Sequence, residues 1–177
     1  QKTCDSDGDE DEDDAIVTDC QPMAGVANGE IALTDPQLEP LFVRVAQRIF
    51  QVLDKGWRPA QDIDDAVHWR PREWNKIADY LVNHTMDKRR SWCHRFHIPG
   101  DVCLDHASLL LHVDGGTWAG ACSAAAWYLE GVVSARTEGA RFPIAMSGTF
   151  LRQPVSSFTA EAIALDEAVQ ALATTAA

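Results

Sequence analysis

A chain of 177 residues with 46% hydrophobic content is long enough to bury one core without metal or disulfide staples. No apolar run approaches the roughly 20 residues of a membrane span, so a helical membrane protein is excluded. The net charge of −12 argues against a uniformly basic surface, but it is unevenly spread: eight acids against Lys2 give −7 in residues 1–14, leaving −5 for the rest.

The acids of that first stretch are Asp5, Asp7, Asp9, Glu10, Asp11, Glu12, Asp13 and Asp14. Like charge this dense cannot pack, so residues 1–14 are expected to be a disordered tail, with a single domain over 15–177. The tail is either a solubilising extension or a competitor for a basic groove. Five cysteines (Cys4, Cys20, Cys93, Cys103, Cys122) at irregular spacing argue against a disulfide framework and for a reducing compartment, nuclear or cytoplasmic. Gln1 is not an initiator residue, which fits a processed or excised piece, and no signal-peptide pattern is present.

In chain order, Ala15–Asp19 reads as a short buried strand ending at an acid. Asp35 as N-cap and Pro36 at the first helical position open a helix carrying Leu38, Leu41, Phe42, Val45, Ile49, Val52 and Leu53. Gly56 and Pro59 end it. A brief strand at Ala66–Trp69 precedes Arg70-Pro71-Arg72-Glu73, and an amphipathic helix comes next from about Trp74 to Met86 with Ile77, Ala78, Leu81 and Val82 as its stripe.

Residues 88–107 mix basic, aromatic, Cys and His residues around Pro99-Gly100 and read as a linker. Strands are expected at Leu109–Val113, Ala121–Leu129 and Ile144–Phe150, the second rich in small residues that admit a close neighbour. Ser156 or Ser157 caps a last helix from Thr159 to about Ala173, with Ala162, Leu165, Ala168, Val169 and Leu172 on one face. This order gives a mixed α/β sheet and not a doubly wound parallel one.

Four acids stand at strand ends or on helical faces: Asp19, Asp79, Asp114 and Glu161. Buried carboxylates need partners, and convergent ones commonly share divalent cations. Each also has a plainer explanation. Asp114-Gly115 is a hairpin signal, Glu161 a dipole-favoured acid at a helix start, Asp19 a turn cap, and Asp79 a surface residue.

The motifs around these acids resemble type 1 ribonuclease H, especially its retroelement and bacterial-like members. Ile16-Val17-Thr18-Asp19-Cys20-Gln21, with Asn28-Gly29-Glu30 and the Asp35–Leu41 stretch, is similar to the family's fourth strand and the segment after it. His68 through Asp87, specifically Arg70-Pro71-Arg72-Glu73 and Asn75-Lys-Ile-Ala-Asp79, is similar to its closing stretch. Val113-Asp114-Gly115-Gly116, the next two strands and Ser157-Phe-Thr-Ala-Glu161-Ala-Ile-Ala-Leu165 are similar to its opening half.

That family runs three antiparallel strands, a Glu-bearing helix, a fourth strand ending in Asp, further helices, a fifth strand and a last helix. Here the second half (15–87) precedes the first (108–177), joined by 88–107. The resemblance therefore implies a ribonuclease H-like α/β fold with a mixed five-stranded sheet and flanking helices, circularly permuted. Twenty residues reach at most about 70 Å when extended, ample to join the old ends. Adjoining halves of two tandem domains, with the site completed between molecules, is the competing account.

The resemblance implies a two-metal endoribonuclease that cuts the RNA strand of RNA–DNA hybrids. Asp114, Glu161 and Asp19 would hold one Mg²⁺ (or Mn²⁺), and Asp114 with Asp79 the second. The family often has a His six residues before Asn75; Trp69 stands there, so His68 is the catalytic candidate by a one-residue shift, or a strand-end His facing solvent. Asn75 is a supporting or helix-capping residue. Gly115 and Gly116 would admit a sugar–phosphate backbone, Ser157 and Thr159 would meet phosphate near a helix N-terminus or simply cap it, and Arg70 and Arg72 are phosphate candidates or solvated charges.

In the linker, Cys93, His97, Cys103 and His106 could bind structural zinc, although their spacing is not a standard finger pattern. Lys88-Arg89-Arg90 with Trp92, Arg95 and Phe96 reads either as a basic, aromatic handle for the hybrid or as an ordered strap. A monomer without a membrane partner is expected. Two alternatives remain: a catalytically silent hybrid- or RNA-binding module derived from a retroelement, and a metal nuclease for DNA or structured RNA.

Overall fold

The computed structural model describes residues 15–54, 66–98, 107–133 and 140–175. The acidic tail, the helix stop at Gly56 and Pro59, and the Cys103 and His106 half of the zinc quartet lie outside the described residues. The elements are β1 (Ala15–Thr18), α1 (Gln21–Ala27), α2 (Glu39–Asp54), β2 (Val67–Trp69), a 3₁₀ turn (Arg72–Trp74), α3 (Lys76–Lys88), β3 (Trp92–Arg95), β4 (Ala107–Trp118), β5 (Cys122–Val133), β6 (Arg141–Leu151) and α4 (Ser157–Thr175).

The fold is α/β, with a mixed sheet in the order β2-β1-β4-β5-β6-β3. β1 runs parallel to β2 and β4, and the remaining pairs are antiparallel. This architecture is compatible with a ribonuclease H-like α/β fold. Among the described residues the sheet has six strands and not the expected five, because part of the stretch read as a linker forms β3 at the edge beside β6. Trp-Cys-His-Arg is short and polar because only Trp92 is turned partly inward. Its indole N–H donates to Thr85 Oγ1 (2.9 Å), and Ser147 Oγ donates to the Trp92 carbonyl (2.9 Å).

Helices cover both faces. Val45, Ile49 and Val52 of α2 and Leu165, Val169 and Leu172 of α4 pack with Leu111, Val113, Trp127 and Leu129. Leu81, Val82 and Met86 of α3 pack on Ala124, Ala126 and Tyr128. Ala124, Ala125 and Ala126 are fully buried, so the small residues of β5 do bring helices close from both sides. Ile77, expected in the α3 stripe, is instead 47% exposed, and Thr85 and Met86 complete the inner face.

α4 is buried almost all round, since α2 lies over the side away from the sheet. Its acid on that side, Asp166, is met by Arg48 and Arg44 of α2, as a buried carboxylate requires. The short helix α1 is an addition to the elements expected from the sequence. Its C-cap, Asn28, pairs with the edge backbone of β2: Nδ2 donates to the Val67 carbonyl (2.8 Å) and Oδ1 accepts from the Val67 amide (3.1 Å). Among the described residues, no helix is long and apolar enough to cross a membrane.

Candidate metal centre

Asp114 lies in the middle of β4, not at a hairpin. The strand continues through Gly115 and Gly116 to Trp118, with Asp114 opposite Ala126. The real turn comes at 119–121, where Gly120 has φ +73° and the Ala121 amide donates to the Trp118 carbonyl. Val17 pairs with His112 in parallel, so Asp19 and Asp114, each two residues further on, emerge at one level.

The third acid comes from α4. Gly115 makes this possible, since a Cβ there would lie 2.6 Å from Glu161 Cα and nearer still to its amide nitrogen. One carboxylate oxygen from each of Asp19, Asp114 and Glu161 falls within 4.8 Å of the others. A strand end, a mid-strand position and a helix thus deliver three acids to one point.

Asp114 is 7% exposed and Glu161 6%. Asp114 Oδ1 accepts from the Gly115 amide (2.9 Å), while Glu161 Oε2 has no hydrogen-bond partner among the described residues. Burial raises the Asp114 pKa, and the charges of Asp19 and Asp79 add to this, against hydrogen bonding from Glu161 and, less, from the Gly115 amide. Burial likewise raises Glu161, reinforced by Asp114 and Asp19. Concentrated negative charge with an orphaned buried oxygen suits a hard divalent cation, whose preferred ligands are carboxylate oxygens.

Asn75 underpins Asp19. It is 1% exposed; Nδ2 donates to the Val113 carbonyl at 2.8 Å and to Asp19 Oδ1 at 3.4 Å. Asn75 stands at the N-cap position of α3, as the capping alternative expects, but its side chain forms no cap hydrogen bond and is turned to Val113 and Asp19 instead. The Trp69 indole N–H donates to the Asp19 carbonyl (3.1 Å). His68 pairs with Val17 in the ladder, two residues short of the acids' level, which is roughly 6–7 Å along a strand. The Trp69 indole thus meets the backbone carbonyl of Asp19, from the position that the family pattern gives to a His.

Asp79, in the first turn of α3, stands outside the three-acid group. It forms an ion pair with Arg72, and Asn83 Nδ2 donates to its carbonyl (2.9 Å) and reaches its Oδ2 (3.5 Å). Asn83, one helical turn after Asp79, is a supporting residue that the sequence reading missed; the i, i+4 spacing is the signal that finds it. Arg72 Nε also lies 4.0 Å from Asp19 Oδ2.

The remaining candidates divide. Ser156 caps α4, accepting from the Thr159 amide (3.0 Å) and bonding the Thr159 hydroxyl, while Ser157 is exposed at the first position of the helix. The close approaches allowed by Gly115 and Gly116 are to α4 and to Val82 and Met86 of α3. Arg70 is exposed, its amide donating to the Thr18 carbonyl. Cys93 and His97 are exposed, and among the described residues they join no metal-ligand group. Burial pushes the Cys20 thiol up to about 11, away from nucleophile chemistry.

Scans against protein-family models, curated proteins and solved structures find no match to this chain.

Proposed function

We propose that this chain is a divalent-metal endoribonuclease of the ribonuclease H type, circularly permuted, that hydrolyses the RNA strand of RNA–DNA hybrids. The observation that carries this reading is the meeting of Asp19, Asp114 and Glu161 from three separate elements. The element order adds support. Read from residue 107 to 175 and then from 15 to 88, the chain runs three antiparallel strands, a Glu-bearing helix, a strand ending at Asp, further helices, another strand and a last helix. β1 sits between β2 and β4, so both halves contribute to one sheet within one chain, which supports completion of the site inside a single molecule.

Asp19, Asp114 and Glu161 would hold one Mg²⁺ or Mn²⁺, and Asp114 with Asp79 a second. Bound together, two such ions supply an activated water and stabilise the leaving oxyanion of a phosphodiester. The chain's own residues orient the ligands: the Gly115 amide fixes Asp114 Oδ1, Asn75 and Trp69 brace Asp19, and Asn83 steadies Asp79. Three acids without cations would repel a phosphate backbone, which weighs against a purely binding module.

The test is cleavage of a labelled RNA–DNA hybrid in Mg²⁺ by the wild type and Asp114→Asn, with single-stranded RNA, structured RNA and duplex DNA alongside. Hybrid cleavage by the wild type alone is expected. Binding of the hybrid without cleavage by either protein would establish the silent module, and preferential cleavage of DNA or structured RNA would change the substrate.

A further inference from the structure

Arg72 stands where the proposed second ion would need room. Its guanidinium pairs with Asp79 Oδ1, and its Nε lies 4.0 Å from Asp19 Oδ2, so one positive charge spans acids from two elements. The other Asp79 oxygen faces Asn83. A cation reaching Asp79 therefore competes with the guanidinium at Oδ1.

The position of Arg72 is set by a stiff base. The residue opens the 3₁₀ turn, its carbonyl accepts from the Asn75 amide (3.0 Å), and the Asn75 side chain is anchored to β4. Yet the Arg72 side chain is 69% exposed. It can swing into solvent without uncovering any core, and an exposed ion pair of this kind holds it only weakly. The neighbouring three-acid point differs in kind: Glu161 is 6% exposed, and its Oε2 has no hydrogen-bond partner among the described residues.

We propose that Arg72 is a built-in competitor for the second divalent ion, closing Asp79 until that ion displaces it, so that the centre loads one ion at Asp19, Asp114 and Glu161 before the other. This rests on the metal-centre reading above and adds an order of occupancy and a residue that sets it. Displacement would also free a guanidinium beside the acids, available to a phosphate oxygen of the bound strand.

The experiment is a Mn²⁺ titration of the full chain followed by calorimetry and by the electron paramagnetic resonance signal of free Mn²⁺, with no substrate present. The wild type is expected to bind one ion tightly and a second weakly. Arg72→Met should strengthen the second event by about tenfold, through loss of the ion pair and of a like charge near the incoming ion, and strengthen the first by a smaller factor, since Nε lies 4.0 Å from Asp19 Oδ2 without a hydrogen bond to it. Arg72→Lys, which keeps a charge but not the fork, should fall between the two. Asp79→Asn should remove the second event alone. An unchanged or weaker second event in Arg72→Met, with the first intact, overturns this proposal and leaves the metal centre standing. Failure of the wild type to bind any Mn²⁺ overturns both.

Discussion

Gly115 and Glu161 touch backbone to backbone: the space a Cβ would take at Gly115 is already filled by the Ala160–Glu161 peptide at the start of α4. That contact lets a helix carboxylate reach a strand carboxylate, because any larger residue holds the helix off the sheet. Gly115→Ala is expected to cost about 2 kcal/mol through overpacking and to separate Glu161 from Asp114. Chemical unfolding should show the loss of stability, and Mn²⁺ affinity should fall about tenfold or more. Unchanged affinity would mean that the close approach does not position the acids.

Asn75 links Asp19 to the same frame. Asn75→Ala leaves the Val113 carbonyl without this donor and Asp19 without its amide contact. A buried hydrogen bond lost with one partner left behind costs about 1–3 kcal/mol, and a weakened ligand orientation costs roughly 10–100-fold in metal affinity or activity. Thermal melts and metal titration of the same variant separate the two effects. Asn75→Asp should retain part of the fold's stability but not the metal affinity, since it replaces the donor with another acid.

Acid stability is expected to draw on a cluster away from the centre. Burial alone would raise the Glu130 pKa, but His112 and Arg141, bonded to its Oε1 at 3.1 and 2.8 Å, bring it below the ordinary value. A carboxylate depressed in the folded state binds fewer protons there than when unfolded. Its stabilisation is present above the unfolded value, about 4.5, and is lost as pH falls through the lower folded value. Urea unfolding of the wild type and Glu130→Gln from pH 7 to pH 3 should show a shallower acid decline in the variant. Parallel curves would remove Glu130 from the acid response.

Much of this arrangement was legible because it rests on local grammar. The α4 stripe, its Ser156 cap, the helix carrying Ala78, Leu81 and Val82, and the small-residue strand β5 all stem from spacing and residue size. Asp19, Asp114 and Glu161 were readable as a convergent set through their motif contexts. Other features depended on contacts between distant segments. Asp114-Gly115 has the sequence of a turn, yet both glycines in that stretch serve helices packing on opposite faces of a continuous strand. β3 is four residues long and mostly exposed, and its strand character comes from antiparallel pairing with β6, which lies some fifty residues on in the chain. Asp79 reads like its companions, and only the fold shows Arg72 occupying it.

The central claim is that Asp19, Asp114 and Glu161 together hold a divalent cation. Anomalous diffraction from crystals of this chain grown with Mn²⁺ tests it most directly. A peak bonded to a carboxylate oxygen of each of the three residues is expected at about 2.1–2.2 Å, near the distance for hard octahedral cations, and should disappear in Glu161→Gln. Crystals of the folded wild type with Mn²⁺ bound elsewhere, or with no peak among these three acids at saturating ion, would contradict it.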